Sequence, residues 1–192
     1  MFVTPPAVLM MRDKPIRSLA DLKGLKIRAS SKSAAAIISA YGATPVQMQA
    51  TKVYTSMSTG VVDGALMGTG SLLIFKLIEP TKYVTMGLPE MPTTLFMVMN
   101  EEAYKELSPK NRAAVDKLTG LGLSLRAAKL EADFGELGMK KFRALPGKQV
   151  IQLSAAAQAE FTKAAEKGVA AIIKEAEGKG VPAAAVVNAM KN

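Results

Sequence analysis

Cysteine, histidine and tryptophan are all absent from this 192-residue chain. Without cysteine there is no disulfide and no thiolate nucleophile. Without histidine there is no imidazole acid–base pair, and zinc and iron lose their commonest ligands, so neither metal nor cofactor is expected. A cysteine-free chain is compatible with an oxidising compartment without implying one. Aromatic residues make up only 5%, too few for a surface that stacks single-stranded bases. No apolar run reaches the roughly 18 residues that a membrane span needs. The start, MFVTPPAVLMMRDKP, has no basic segment ahead of its apolar stretch, and Pro5 and Pro6 interrupt it. It does not read as a signal peptide, and the chain as written is expected to carry no export address.

What is present points to a packed domain. Hydrophobic residues make up 49%, which excludes global disorder and allows a sizeable core. The net charge of +9 comes from 25 basic and 16 acidic residues and gives a general attraction to anions. A nucleic-acid partner would want that charge clustered beside a reading motif. Here the basic residues are spread from Arg12 to Lys191, with Lys140-Lys141 the only adjacent pair, so no nucleic-acid partner is expected.

Along the chain, residues 1–15 read as an extended segment, because prolines disfavour helix. Ser18 can cap a short helix over "LADL" that Gly24 stops. From there strand and helix alternate. "LKIRA", "TPVQM", "VVDGALM" and "KYVTMGL" read as strands, and "SSKSAAAIISAYGA", "TKVYTSMSTG" and "SLLIFKL" as helices. Connections this short predict an α/β lobe over residues 16–92, built on a parallel sheet with right-handed crossovers. "TTLFMVMN", 93–100, follows a Pro-containing loop and reads as a strand buried on both faces. Residues 109–143 then read as one helix, with Leu118, Leu121, Leu125, Ala128, Ala132, Gly135, Met139 and Phe142 forming one apolar stripe. At about 50 Å it would outreach a small lobe. Residues 93–192 are therefore expected to hold this inter-lobe helix, a short "KQVIQL" strand, a second long helix capped by Ser154 and a terminal helix.

The candidate site is the stretch "VDGALMGTGSLLIF", 62–75, in which a strand empties through a glycine turn into a helix. It lacks the Gly-Lys-Ser/Thr of a phosphate loop, and Leu73 stands where a dinucleotide fingerprint needs Gly or Ala. Nucleotide readings fail on these residues. What survives is a set of amide groups at the start of the 71–77 helix, aimed beyond the strand end. Arg28 sits at the carboxyl end of a neighbouring strand, where ligand crevices form in open parallel sheets. Its planar guanidinium suits a carboxylate. Asp63 has no second acid nearby and no histidine, so it reads as a residue that orients a turn.

The segments "KPIRSLADLKGLKIRASS", "YGATPVQM", "KVYTSMSTGVVDGALM" and "LFMVMNEEAYKELSPKNRAAVD", in this order and spacing, resemble the DctP-type solute-binding proteins of TRAP transporters. The resemblance is dense over residues 14–120 and looser beyond. It implies a type II periplasmic binding fold, two lobes that close on an organic acid, and delivery to a membrane permease. It also implies a long helix crossing both lobes, a periplasmic location and no enzymatic activity. The family's carboxylate-clamping arginine maps to Arg28. The implied ligand contacts are Arg28, Ser30, Leu66, Met67, Gly68, Thr69 and Gly70, with Ala65 beside them. Polar-ligand members carry Gln-Glu-Asn-Pro after the Asp-Gly, whereas this chain has Ala65-Leu66-Met67-Gly68, which implies a less polar monocarboxylate. Family members also have a long segment ahead of the part matched here, so the resemblance implies a fragment whose first lobe is incomplete. The alternatives left open are a carboxylate-processing enzyme on a similar lobe and a basic nucleic-acid-binding protein.

Overall fold

Five consecutive apolar residues, Ala7–Met11, are all buried and form a central strand, β2, preceded by a two-residue strand β1 at Phe2–Val3. In this computed structural model, which describes residues 1–89 and 93–189, β2 contributes to both faces of a six-stranded sheet. Leu9 and Met11 point into one core and Val8 and Met10 into the other. The remaining strands are β3 (Lys26–Ala29), β4 (Thr44–Gln47), β5 (Gly64–Gly68), β6 (Tyr83–Met86) and β8 (Gln149–Gln152), in the order β4-β3-β5-β2-β6-β8. A separate pair joins β1 to β7 (Thr94–Leu95) antiparallel.

Strands β3, β4 and β5 are parallel, and so are β6 and β8. The expected run of parallel strands is broken between β5 and β6, where β2 inserts antiparallel to both, pairing Leu9 with Leu66 and Thr85. The fold is α/β, with a mixed sheet in place of a purely parallel one. An all-apolar strand gains most from a place with a layer on each side, and this moves "extended" residues 7–11 to the middle of the molecule. Gly64 permits the close approach: a Cβ there would meet the Met10 carbonyl at 2.6 Å. The sheet draws strands from 7–11 and 149–152 as well as from 16–92, so it straddles the boundaries at residues 15 and 92.

Helices cover both faces. On one lie α1 (Lys32–Ala40) and α7 (Ala155–Glu177), packing Ile37, Ile38 and Tyr41 against Ala157, Phe161, Ala164 and Ala165. Tyr41 and Phe161 meet edge to face at 4.9 Å, a favoured aromatic geometry. Burial without a hydrogen-bond partner pushes the Tyr41 phenol up from its ordinary range. Ser31 and Ser154 cap these two helices, each accepting a backbone N–H three residues on.

On the other face lie α2 (Val53–Ser58), α3 (Ser71–Ile74) and the carboxyl half of α6 (Gly120–Ala144), burying Val53, Met57, Leu72, Met139 and Phe142. Two further helices, α4 (Glu101–Lys105) and α5 (Pro109–Leu118), precede α6, and α8 (Ala183–Ala189) follows α7. Lys148 joins β8 to the loop before β6, donating to the carbonyls of Ile78, Glu79 and Thr81.

Three expectations are corrected. The 109–143 helix is two helices, because Thr119 is extended and Gly120 has φ +74°. Such a left-handed residue ends a helix. Of "TTLFMVMN" only Thr94–Leu95 is a strand, and it is exposed rather than buried on both faces. Phe96, Val98 and Met99 are exposed with it, and Met97 is 83% accessible. The helix expected over 71–77 stops at Ile74, and Lys76 follows with φ +56°. The Pro-containing loop expected at 90–92 and the last residues of the expected terminal helix, 190–192, lie outside the described residues. Among the described residues no helix is long and apolar enough to cross a membrane.

Candidate functional site

Arg28 alternates with Ile27 and Ala29 along β3. The two apolar neighbours point into the α1/α7 core, so strand geometry sends Arg28 to the opposite face, beside Ala65 and Met67 of β5. It is only 5% exposed. Its Nε and Nη2 both donate to the Met48 carbonyl, at 3.2 and 3.0 Å. Among the described residues no carboxylate pairs with it. Burial lowers its affinity for the proton, though a guanidinium remains charged at any physiological pH. Isolated buried charges are costly, and among the described residues the Met48 carbonyl is the only hydrogen-bond partner of this guanidinium.

Arg28 lines a cleft of about 390 Å³ with Thr4, Ser30, Ala50, Leu66, Met67, Gly68, Ser71, Ile74, Phe75, Thr93, Leu95 and Glu131. That volume is ordinary for a small-molecule site, and so is its makeup of apolar walls with a few polar groups. The carboxyl ends of β3 and β5 supply the floor, as expected of a parallel pair. A second cavity of about 500 Å³ lies on the α1/α7 side and shares Ser30, Leu66 and Thr93 with the first.

Of the seven residues expected at a site, the structure gathers Arg28, Ser30, Leu66, Met67 and Gly68 at this cleft. Thr69 and Gly70 are not part of its wall. Thr69 is buried against Gly135 of α6, and Gly70 faces Glu131 and Phe134. The amides expected to aim beyond the strand are used within the turn: Leu72 N–H donates to Thr69 and Leu73 N–H to Gly70. Ser71 Oγ turns back to the Gly68 carbonyl at 2.6 Å. Asp63 is a stitch between strands, accepting the Lys26 N–H at 2.8 Å while its own carbonyl takes the Arg12 N–H.

Sequence reasoning took in Ser71, Ile74 and Phe75 only as part of the 62–75 stretch, and did not reach Thr4, Ala50, Thr93, Leu95 or Glu131. Ile74 and Phe75 follow one turn after Ser71, and helical spacing could have singled them out. Glu131 arrives from α6, sixty residues downstream of the loop it covers, and carries no local signal.

Two solved TRAP solute-binding proteins share this architecture. One is a marine metagenome protein specific for aromatic acid ligands, in complex with metahydroxyphenylacetate. It is 29% identical, with a TM-score of 0.88 over 97% of this chain and 59% of its own. The other, from Rhodoferax ferrireducens, holds copurified benzoate and is 25% identical, with the same TM-score and coverage. Among curated proteins, a solute-binding protein of Albidiferax ferrireducens is 31% identical over 123 residues, 63% of this chain and 36% of that protein. The 2,3-diketo-L-gulonate-binding periplasmic protein YiaO of Escherichia coli is 30% identical over 102 residues, covering 53% and 31%. The chain thus spans about a third of the length of these curated relatives. Residues 8–176 match the DctP family, and with a match over that much of its length the chain belongs to the bacterial extracellular solute-binding proteins, family 7.

Proposed function

We propose that this chain captures a small, largely apolar monocarboxylate outside the cytoplasmic membrane, in the periplasm, and presents it to the permease of a TRAP transporter. The observation that carries the reading is Arg28: a buried guanidinium with one carbonyl partner among the described residues, on the wall of a largely apolar cleft. A ligand carboxylate would supply the missing counter-charge through charge-assisted hydrogen bonds. Ser30 and the backbone at Gly68 flank that position, and Leu66 and Met67 supply apolar wall. Thr69 and Gly70 act one layer back, seating α6 on the turn. The metahydroxyphenylacetate and benzoate complexes of the two relatives support an aromatic acid as ligand.

The ligand-binding lobe would comprise the six-stranded sheet with α1, α2, α3 and α7. Helix α6 would run from it toward a second lobe, which closes because ligand contacts favour the closed arrangement. Capture and release need no bond made or broken, so no catalytic residue is assigned.

The test is thermal unfolding of the chain against a panel of monocarboxylates that includes benzoate and phenylacetate. A bound acid raises the midpoint by mass action. Arg28→Ala is expected to weaken binding at least about 30-fold and abolish the rise, because truncating a buried charge partner costs 2 kcal/mol or more. Arg28→Lys should recover only part, lacking the planar fork. A midpoint shift that survives Arg28→Ala would overturn the anchor.

A further inference from the structure

Among the described residues, Glu131 is the one acid on the wall of the Arg28 cleft. It projects from α6 over the Gly68–Ser71 turn, close enough that a Cβ on Gly70 would lie 2.9 Å from its Oε2. The residue is half-buried. Among the described residues it forms no ion pair and receives no side-chain hydrogen bond, and it does not pair with Arg28 although both line the same cavity. The walls around the two charges are mostly apolar, from Ala50, Leu66, Met67, Ile74, Phe75 and Leu95, with the neutral hydroxyls of Thr4, Ser30, Ser71 and Thr93 between them.

A carboxylate so placed has two chemical consequences. It repels an acid that offers it nothing, since closing the cleft would strip its water and leave its oxygens unpaired. It rewards a ligand that brings a donor, because hydrogen bonds to a charged acceptor are about twice as strong as neutral ones. One positive and one negative anchor in a single apolar slot describe a bipolar ligand, a carboxylate at one end and a donor at the other.

Resting on the carboxylate reading above, we infer that Glu131 is a specificity-determining residue that selects apolar monocarboxylates bearing a hydroxyl away from the carboxylate, over their unsubstituted counterparts. Arg28 supplies affinity for the class. Glu131 supplies the choice within it, by accepting the ligand hydroxyl proton in a hydrogen bond and by penalising ligands that lack one. Sites built to hydrogen-bond a ligand hydroxyl discriminate strongly, because the analogue without it leaves buried polar groups unpaired.

The experiment is calorimetric titration of the chain with phenylacetate, 3-hydroxyphenylacetate and 3-methoxyphenylacetate, for the parent, Glu131→Ala and Glu131→Gln. The parent should prefer the hydroxy acid over phenylacetate by tenfold or more, and the methoxy acid should behave like phenylacetate or worse. Glu131→Ala should bring the ratio to within about threefold of one. It should do so partly by binding phenylacetate more tightly than the parent does, which loss of a merely structural side chain would not achieve. Glu131→Gln, which keeps an acceptor without the charge, should fall between. Binding of both acids with a ratio near one in the parent, or a ratio unchanged in Glu131→Ala, overturns this inference and leaves the Arg28 anchor standing. Failure of all three acids to bind the parent overturns the aromatic-acid reading and this inference with it.

Discussion

The two halves of α6 carry the same apolar periodicity and meet opposite fates. In the carboxyl half, Gly135, Gly138, Met139 and Phe142 are buried against α3 and the sheet. In the amino half, Leu121 is 74% and Leu125 62% exposed, and Leu130 lies open as well. The difference is not in propensity, since both halves are helical. It lies in what each half meets. Gly135 and Gly138 let the carboxyl half sit against Thr69 and Leu72, where side chains would hold the helix off. The amino half shares an apolar groove of about 670 Å³ with Met1, Phe2 and the exposed 95–99 segment, and among the described residues no further layer lies over it. An apolar stripe shows that a face is suited to burial, and only tertiary structure supplies the partner.

The largest break in this comparison should come at Phe142. Fully buried beneath Lys148, with its ring under the ammonium at 5.9 Å, it should cost about 3–5 kcal/mol of unfolding free energy when replaced by Ala. Urea denaturation measures this, and a loss below about 1 kcal/mol would mean that the carboxyl half is not seated as described. Next comes Gly135→Ala, whose methyl would overlap the Thr69 hydroxyl. A destabilisation of about 1–3 kcal/mol is expected from overpacking. Thr69→Ala in the same chain should return part of it, a non-additivity that only direct contact produces. Smallest of all should be Leu121→Ser and Leu125→Ser, each within about 0.5 kcal/mol because exposed positions have little burial to lose. A cost near that of Phe142→Ala would show that another surface covers the amino half in solution.

Much of this architecture was legible from local signals. The cap at Ser154, the alternation of Ile27, Arg28 and Ala29, and the glycine turn after Met67 each act within a few residues, so short-range physics suffices to read them. Five of the seven expected site residues share one cleft for the same reason: strand ends and the turn that follows them are local features. The two largest failures were non-local. Residues 7–11 looked merely extended, yet they occupy the centre of the sheet. "TTLFMVMN" looked like a doubly buried strand, yet all eight of its residues are exposed. Thr119-Gly120 divides a pattern whose periodicity runs on unbroken, because periodicity registers which face is apolar and not where the backbone turns.

By itself, then, the sequence determined the α/β class, the absence of thiol and imidazole chemistry, the helix starts and the candidate anchor at Arg28. These follow from residue chemistry and from hydrogen bonds that close within a turn or a strand. Only the tertiary structure decided that β2 separates β5 from β6, that Arg28 is buried with no carboxylate partner among the described residues, and that Glu131 shares its cleft. Each of those depends on chain segments distant in sequence competing for the same space, and the winner is the arrangement that buries the most apolar surface with the fewest unpaired charges.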